Sequence, residues 1–129
     1  MNSILLVGLG GFMGSVARYT LGGALSPLTA QEKFPLSTFA VNVAGCLVVG
    51  VLAGLAERFE WLGADARLFL FTGLLGAFTT FSAFGLETVL LLRRGEWWVA
   101  GLYVGASVLL GIAAVWFGIK LVSWLPHPA

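Results

Sequence analysis

Charge is what this chain has least of. Of its 129 residues, 10% are Asp, Glu, Lys or Arg, while 59% are hydrophobic. A soluble domain carries roughly 25% charged residues, so a water-facing globule is excluded and an integral membrane protein is expected. The seven Lys and Arg nearly balance the six Asp and Glu and gather into no basic patch, which leaves nothing for nucleic acid to bind. A single cysteine, Cys46, rules out a disulfide framework within one chain, and its apolar surroundings read as those of a small packed side chain. One histidine, His127 in the tail Pro126-His-Pro128, supplies neither a metal-ligand cluster nor a nucleophile–base pair, so no enzyme is expected. Lys and Arg are also missing ahead of the first apolar stretch. That stretch is therefore expected to stay as a helix rather than be removed as a signal peptide.

What the chain does have is four long apolar runs. At roughly 20 apolar residues per crossing, they predict an all-α integral membrane protein with four transmembrane helices in one domain. The runs lie at about Ser3–Leu25, Ser37–Arg58, Arg67–Leu92 and Trp98–Leu125. No length remains for an extramembrane domain. Pairs of small residues four apart, Gly10/Gly14, Gly50/Gly54 and Gly101/Gly105, suit close helix approach in lipid. The string Gly8-Leu-Gly10-Gly11-Phe-Met-Gly14 has the look of a dinucleotide fingerprint, but no strand precedes it and no βαβ unit could fit. Trp97, Trp98 and Trp124 are placed as interfacial anchors.

The third run is the least suited to being a plain helix. Gly73 and Gly76 weaken a helix interior, and β-branched Thr79 and Thr80 add to that cost. Thr79, Thr80 and Ser82 stand among Phe78, Phe81 and Phe84, where a purely greasy segment would use Leu, Ile and Val. The third helix is therefore expected to be broken mid-membrane, a conformation tolerated only inside protein or along a cavity.

Few polar groups lie within the spans. Thr38 and Asn42 share one face of the second helix. Asn42 either bonds another helix or points its amide N–H at a permeating anion. Glu87 continues the face of Phe81 and Phe84 and is the only carboxyl group well inside a span, hence a functional-site candidate. Tyr103 and Ser107 form a polar stripe on the fourth helix. Arg18 either snorkels to the headgroups or anchors a vestibule by bonding backbone carbonyls. No basic cluster attracts an anion in mid-membrane. Amides, hydroxyls and the positive edges of phenylalanine rings remain, and such weak, multiple contacts let an ion leave as well as enter. Carbonyls freed near Gly76 to Thr79 would instead suit a hard cation such as Na⁺.

Charge gives no orientation. Arg58, Arg67 and Lys120 fall on the side of the termini, and Lys33, Arg93 and Arg94 on the other. An even split of Lys and Arg permits insertion both ways. Two opposed copies could then pair about an axis in the membrane plane, as inverted repeats do in fused transporters. One four-helix subunit is also thin for enclosing a pathway, so an antiparallel, dual-topology homodimer is expected.

Three segments resemble the Fluc (also called CrcB) fluoride channel family: Gly10-Gly11-Phe-Met-Gly14-Ser-Val-Ala-Arg18-Tyr19, Thr38-Phe-Ala-Val-Asn42-Val-Ala-Gly45, and Gly73-Leu-Leu-Gly76-Ala-Phe78-Thr79-Thr80-Phe81-Ser82-Ala-Phe84. The resemblance covers nearly the whole chain, and the third segment is the most specific. It implies a multi-pass protein of the bacterial inner membrane, a dual-topology homodimer with two pores, and passive export of toxic cytoplasmic fluoride. It implies that Phe81 and Phe84 face fluoride, that Asn42 is the pore asparagine, and that the carbonyls of Gly76 and Thr79 hold a central structural Na⁺. Thr38, Ser82, Glu87, Tyr103 and Ser107 are similar to the polar track beside the pore. Ser37, Ala77 and Ala83 depart from the family pattern, and Ala83 removes one hydroxyl from that track. The main alternative is a proton-coupled exporter of the small multidrug-resistance type, which relies on a carboxylate in the first helix, where this chain has none. A second is a non-conducting membrane scaffold, which explains the glycine pairs but not Asn42 or the Phe/Thr cluster.

Overall fold

The computed structural model describes residues 2–60 and 62–126; His127 and the end of the tail lie outside them. The described residues are helical throughout their regular structure: α1 (Ser3–Thr29), α2 (Leu36–Phe59), α3 (Ala64–Arg67), a π-helical segment (Leu68–Leu75), α4 (Gly76–Phe78), α5 (Phe81–Arg93) and α6 (Trp97–Ser123). Four stretches are long and apolar enough to cross a membrane: α1, α2, the composite Ala64–Arg93 and α6.

Local chemistry sets the boundaries. Asn2 caps α1, its side-chain oxygen accepting from the Ile4 N–H at 2.9 Å. The helix runs four residues past its expected end at Leu25 and takes in Pro27. In the last turn Pro27 forfeits only one internal bond, toward the carbonyl of Gly23. The Thr29 hydroxyl donates to the Ser26 carbonyl at 3.1 Å and supports that turn. At the far end of the bundle, α6 stops where Arg58 of α2 donates to the Val122 and Ser123 carbonyls at 3.3 and 3.0 Å, and to that of Leu125. A cation on the last carbonyls both satisfies them and complements the helix dipole.

The turn from α5 to α6 is a Schellman motif. Glu96 N–H donates to the Leu91 carbonyl at 2.9 Å and Gly95 N–H to that of Leu92 at 3.0 Å. Gly95 takes φ +77°, the left-handed conformation this motif requires. Glu96 is thereby fixed between two helices.

Packing pairs α2 with α6, and α1 with the π-helical segment. Lipid supplies no hydrophobic drive between helices, so contact depends on how closely backbones approach. At Gly10 and Gly14 a methyl group would overlap the carbonyls of Phe69 and Leu74. Gly50 and Gly118 make the corresponding crossing of α2 on α6. Gly101 and Gly105, by contrast, have nothing within 4 Å of where a methyl would stand, so they pack no helix within the subunit. A compact aromatic core forms at the α5–α6 end from Leu91, Ala100 and fully buried Tyr103, with Phe34, Phe39 and Phe84 against it.

Candidate functional site

The third span changes geometry twice. Its π-helical segment, a rare form frequent at functional sites, leads into one α-helical turn ending at Phe78. Thr79 (φ −83°, ψ 155°) and Thr80 (φ −147°, ψ 115°) are then extended, and α5 starts afresh at Phe81. Gly76 itself is helical, at φ −60° and ψ −35°. Irregular backbone was expected nearer Gly76 to Thr79; glycine weakens a helix, but here the helix yields where side chains offer other partners.

Those partners are specific. Asn42 Nδ2 donates to the Thr80 carbonyl at 3.0 Å, and its Oδ1 accepts from the Thr80 N–H at 2.8 Å. One side chain from α2 thus satisfies both polar groups of the extended residue. Thr80 in turn caps α5, its hydroxyl accepting from the Ala83 N–H at 3.2 Å. Thr79 folds back, with N–H and hydroxyl both donating to the Leu75 carbonyl, at 3.0 and 2.9 Å. The Thr79 carbonyl receives no hydrogen bond from the described residues.

Beside this break lies a cavity of about 420 Å³, lined among others by Asn42, Gly76, Thr79, Phe81, Phe84 and Ser107. The rings of Phe81 and Phe84 are 5.7 Å apart at a tilt of 42°. Phe84 continues onto Tyr103 at 5.1 Å. Phe81 is 84% exposed, so this chain supplies only part of the wall around it. The buried Ser107 hydroxyl has no hydrogen-bond partner among the described residues. The second Nδ2 hydrogen of Asn42 is likewise left over, since the amide carries two.

One turn beyond Phe84, Glu87 lies in the floor of a second, polar cavity of about 260 Å³, which Thr38 also lines. The Thr38 hydroxyl donates to Glu87 Oε1 at 2.6 Å and the Tyr103 hydroxyl to Oε2 at 2.7 Å. Three helices thereby meet on one carboxyl group in the lining of the second cavity.

The expected site residues are not all equivalent. Asn42, Gly76, Thr79, Phe81, Phe84 and Ser107 share the first cavity, and Thr38 and Glu87 the second. Tyr103 lines neither; it holds Glu87 from within the core. Ser82 is exposed outside both linings, its hydroxyl 3.3 Å from that of Thr80. Arg18 is half-buried on α1 and lines neither cavity. Thr80 was expected only to weaken the helix and was given no place among the site residues. A threonine three residues ahead of Ala83, before an apolar run, is an N-cap signal that would have marked it.

Among known proteins, the family model described as "CrcB-like protein, Camphor Resistance (CrcB)" matches residues 5–119. The chain belongs to the CrcB family. Both cavities fall within the matched stretch. Among CrcB relatives, a protein of Methylobacillus flagellatus named "Fluoride-specific ion channel FluC" is 50% identical over 123 residues, covering 95% of this chain and 96% of that one. Proteins of the same name from Nitratidesulfovibrio vulgaris and Hyphomonas neptunium are 47% and 50% identical, each covering 92% of this chain and 95% and 94% of their own.

Proposed function

We propose that this chain is the subunit of a fluoride-selective channel of the bacterial inner membrane that exports toxic cytoplasmic fluoride by passive diffusion. The observation that carries the reading is the clamp of Asn42 on Thr80, which holds an extended break open beside two phenylalanine edges. The fluoride channel relatives support it across nearly their whole length. The ion moves past ring edges at Phe81 and Phe84, the spare amide N–H of Asn42 and the Ser107 hydroxyl, then toward Thr38 and Glu87. None of these groups carries a fixed positive charge, so each holds an anion weakly and releases it.

The working unit is an antiparallel homodimer with two pores. Exposed Phe81 and a cavity walled on one side argue for a second copy. The even split of basic residues permits that copy to insert the other way up. In such a pair the breaks face one another. The unpartnered Thr79 carbonyl, with that of Gly76 at the same cavity, fits a Na⁺ ion, which takes oxygen ligands. A bound Na⁺ would tie the two breaks together structurally.

The small multidrug-resistance alternative gains no support: α1 contains no carboxylate, and Glu87 already accepts two hydroxyl bonds. The deciding experiment is fluoride efflux from liposomes holding the purified protein, with chloride as control. Electrogenic fluoride efflux without a pH gradient is expected. Efflux that needs a proton gradient and stops with Glu87→Gln would transfer the chain to the exporter class.

A further inference from the structure

The polar cavity above Glu87 has a charged rim that the pore reading does not use. Lys33, from the α1–α2 loop, and Arg94, at the end of α5, both line it, as does the acidic Glu32. Lys33 Nζ is 2.7 Å from Glu96 Oε1. Glu96 belongs to the Schellman turn, where two backbone bonds fix it. The pair therefore ties a long-stemmed cation of the cavity lining to a rigidly placed acid just outside that lining. Within the lining, the cations Lys33 and Arg94 are balanced by Glu32 and Glu87, and Glu96 holds Lys33 from outside it. An anion approaching this end meets no net attraction while Glu96 holds Lys33.

We propose that the Lys33–Glu96 pair sets the electrostatic potential of the cavity mouth between the α1–α2 loop and the α5–α6 turn, and so the rate at which fluoride is captured there. This rests on the channel reading above. Glu96 damps capture by occupying the Lys33 ammonium, and Arg94 is the rim cation that remains available. The charges act from the rim and touch no ion at the constriction, so they change capture and leave fluoride-over-chloride selectivity alone. A unit charge about 10 Å away in water is worth about a factor of two in local ion concentration. The effect reaches roughly 30 Å at 0.01 M ionic strength and only about 3 Å at 1 M.

Initial fluoride efflux should be measured at subsaturating fluoride, in about 0.01 M and about 1 M impermeant salt. Glu96→Gln is expected to raise low-salt efflux about twofold and Lys33→Gln to lower it about twofold. Arg94→Gln, which breaks no ion pair among the described residues, is expected to follow Lys33→Gln. The differences should vanish at high salt, with selectivity and dimer size unchanged. If Glu96→Gln and Lys33→Gln shift efflux in the same direction, or if the shifts persist at high salt, the pair is only a strap between loops and the proposal is wrong. Wild-type protein that conducts beside unaltered variants overturns this inference alone. Wild-type protein that passes no fluoride overturns the channel reading with it.

Discussion

Asn42 holds Thr80 by both ends of its own polarity: the amide oxygen takes the backbone N–H at 2.8 Å and the amide nitrogen gives to the carbonyl at 3.0 Å. The side chain behaves as a strand of one residue, pairing with the N–H and carbonyl of Thr80, which have no other partner among the described residues. An interhelical bond and a role toward an anion were alternatives for this residue. Here the bond is made, and one N–H is still left over.

Replacing Asn42 with Ala removes both bonds and strands two backbone groups inside the protein. Each is worth about 1–3 kcal/mol when left unsatisfied. A lower thermal midpoint in detergent and at least about a tenfold loss of fluoride efflux are expected, since about 1.4 kcal/mol is tenfold in population. Asn42→Asp keeps the acceptor for Thr80 N–H but sets an oxygen against the Thr80 carbonyl. It should be no better than Ala, which thermal melts of the two variants will check.

Phe81 and Phe84 should separate under alanine substitution. Phe81 is exposed, and Phe84 packs against buried Tyr103. Phe81→Ala is expected to abolish most fluoride flux while the subunit's melting temperature holds. Phe84→Ala should lose flux and stability together, with about 0.5–1.5 kcal/mol from the aromatic pair in addition to lost packing. Paired efflux and thermal measurements read both quantities.

Tyr103→Phe tests the anchoring of Glu87. The ring stays and one donor to the carboxyl group goes, at a cost of about 1–3 kcal/mol for the unsatisfied oxygen. Thr38→Val removes the other donor with nearly the same shape. Each single variant should slow fluoride efflux, and the double variant should depart from additivity, because both hydroxyls hold one group. A double-mutant cycle on efflux rates measures this coupling.

The glycines give an internal contrast. Gly14→Val places branched carbons against the Leu74 carbonyl and should prevent α1 from seating on the π-helical segment, giving little folded protein on size exclusion. Gly8→Ala, on the same helix but with nothing within 4 Å, should fold as wild type. Equal behaviour of the two would mean that α1 is held by something other than close backbone contact.

Much of the architecture could be read directly from residue order. Four apolar runs gave four spans because hydrophobic length is a strong signal and bilayer thickness fixes its scale. The ends were less visible. The first helix, expected to end at about Leu25, continues through Pro27 to Thr29, since a proline in the last turn removes only one bond. The composition of the third run pointed to the dozen residues that contain the extended pair Thr79 and Thr80, because Thr and Ser among Phe have no role in a merely greasy helix. What composition could not resolve was which of them leave the helix. That depends on Asn42, distant in sequence, reaching Thr80 rather than the residues around Gly76. Tyr103 and Ser107 looked alike as polar residues on one helix face. Only the placement of α5 decides that one hydroxyl reaches Glu87 and the other faces the cavity unpartnered.

The extended pair at Thr79 and Thr80 also interrupts rotational phase. Within a continuous helix each residue turns the next by about 100°, so inserting or deleting one residue upstream would swing every later side chain to a new azimuth. Here that winding stops at Phe78 and is reset by a clamp from α2. The azimuth of Phe81, Phe84 and Glu87 is therefore inherited from Asn42, and the π-helical turns before it are free to carry an irregular pitch without misaiming the residues that follow.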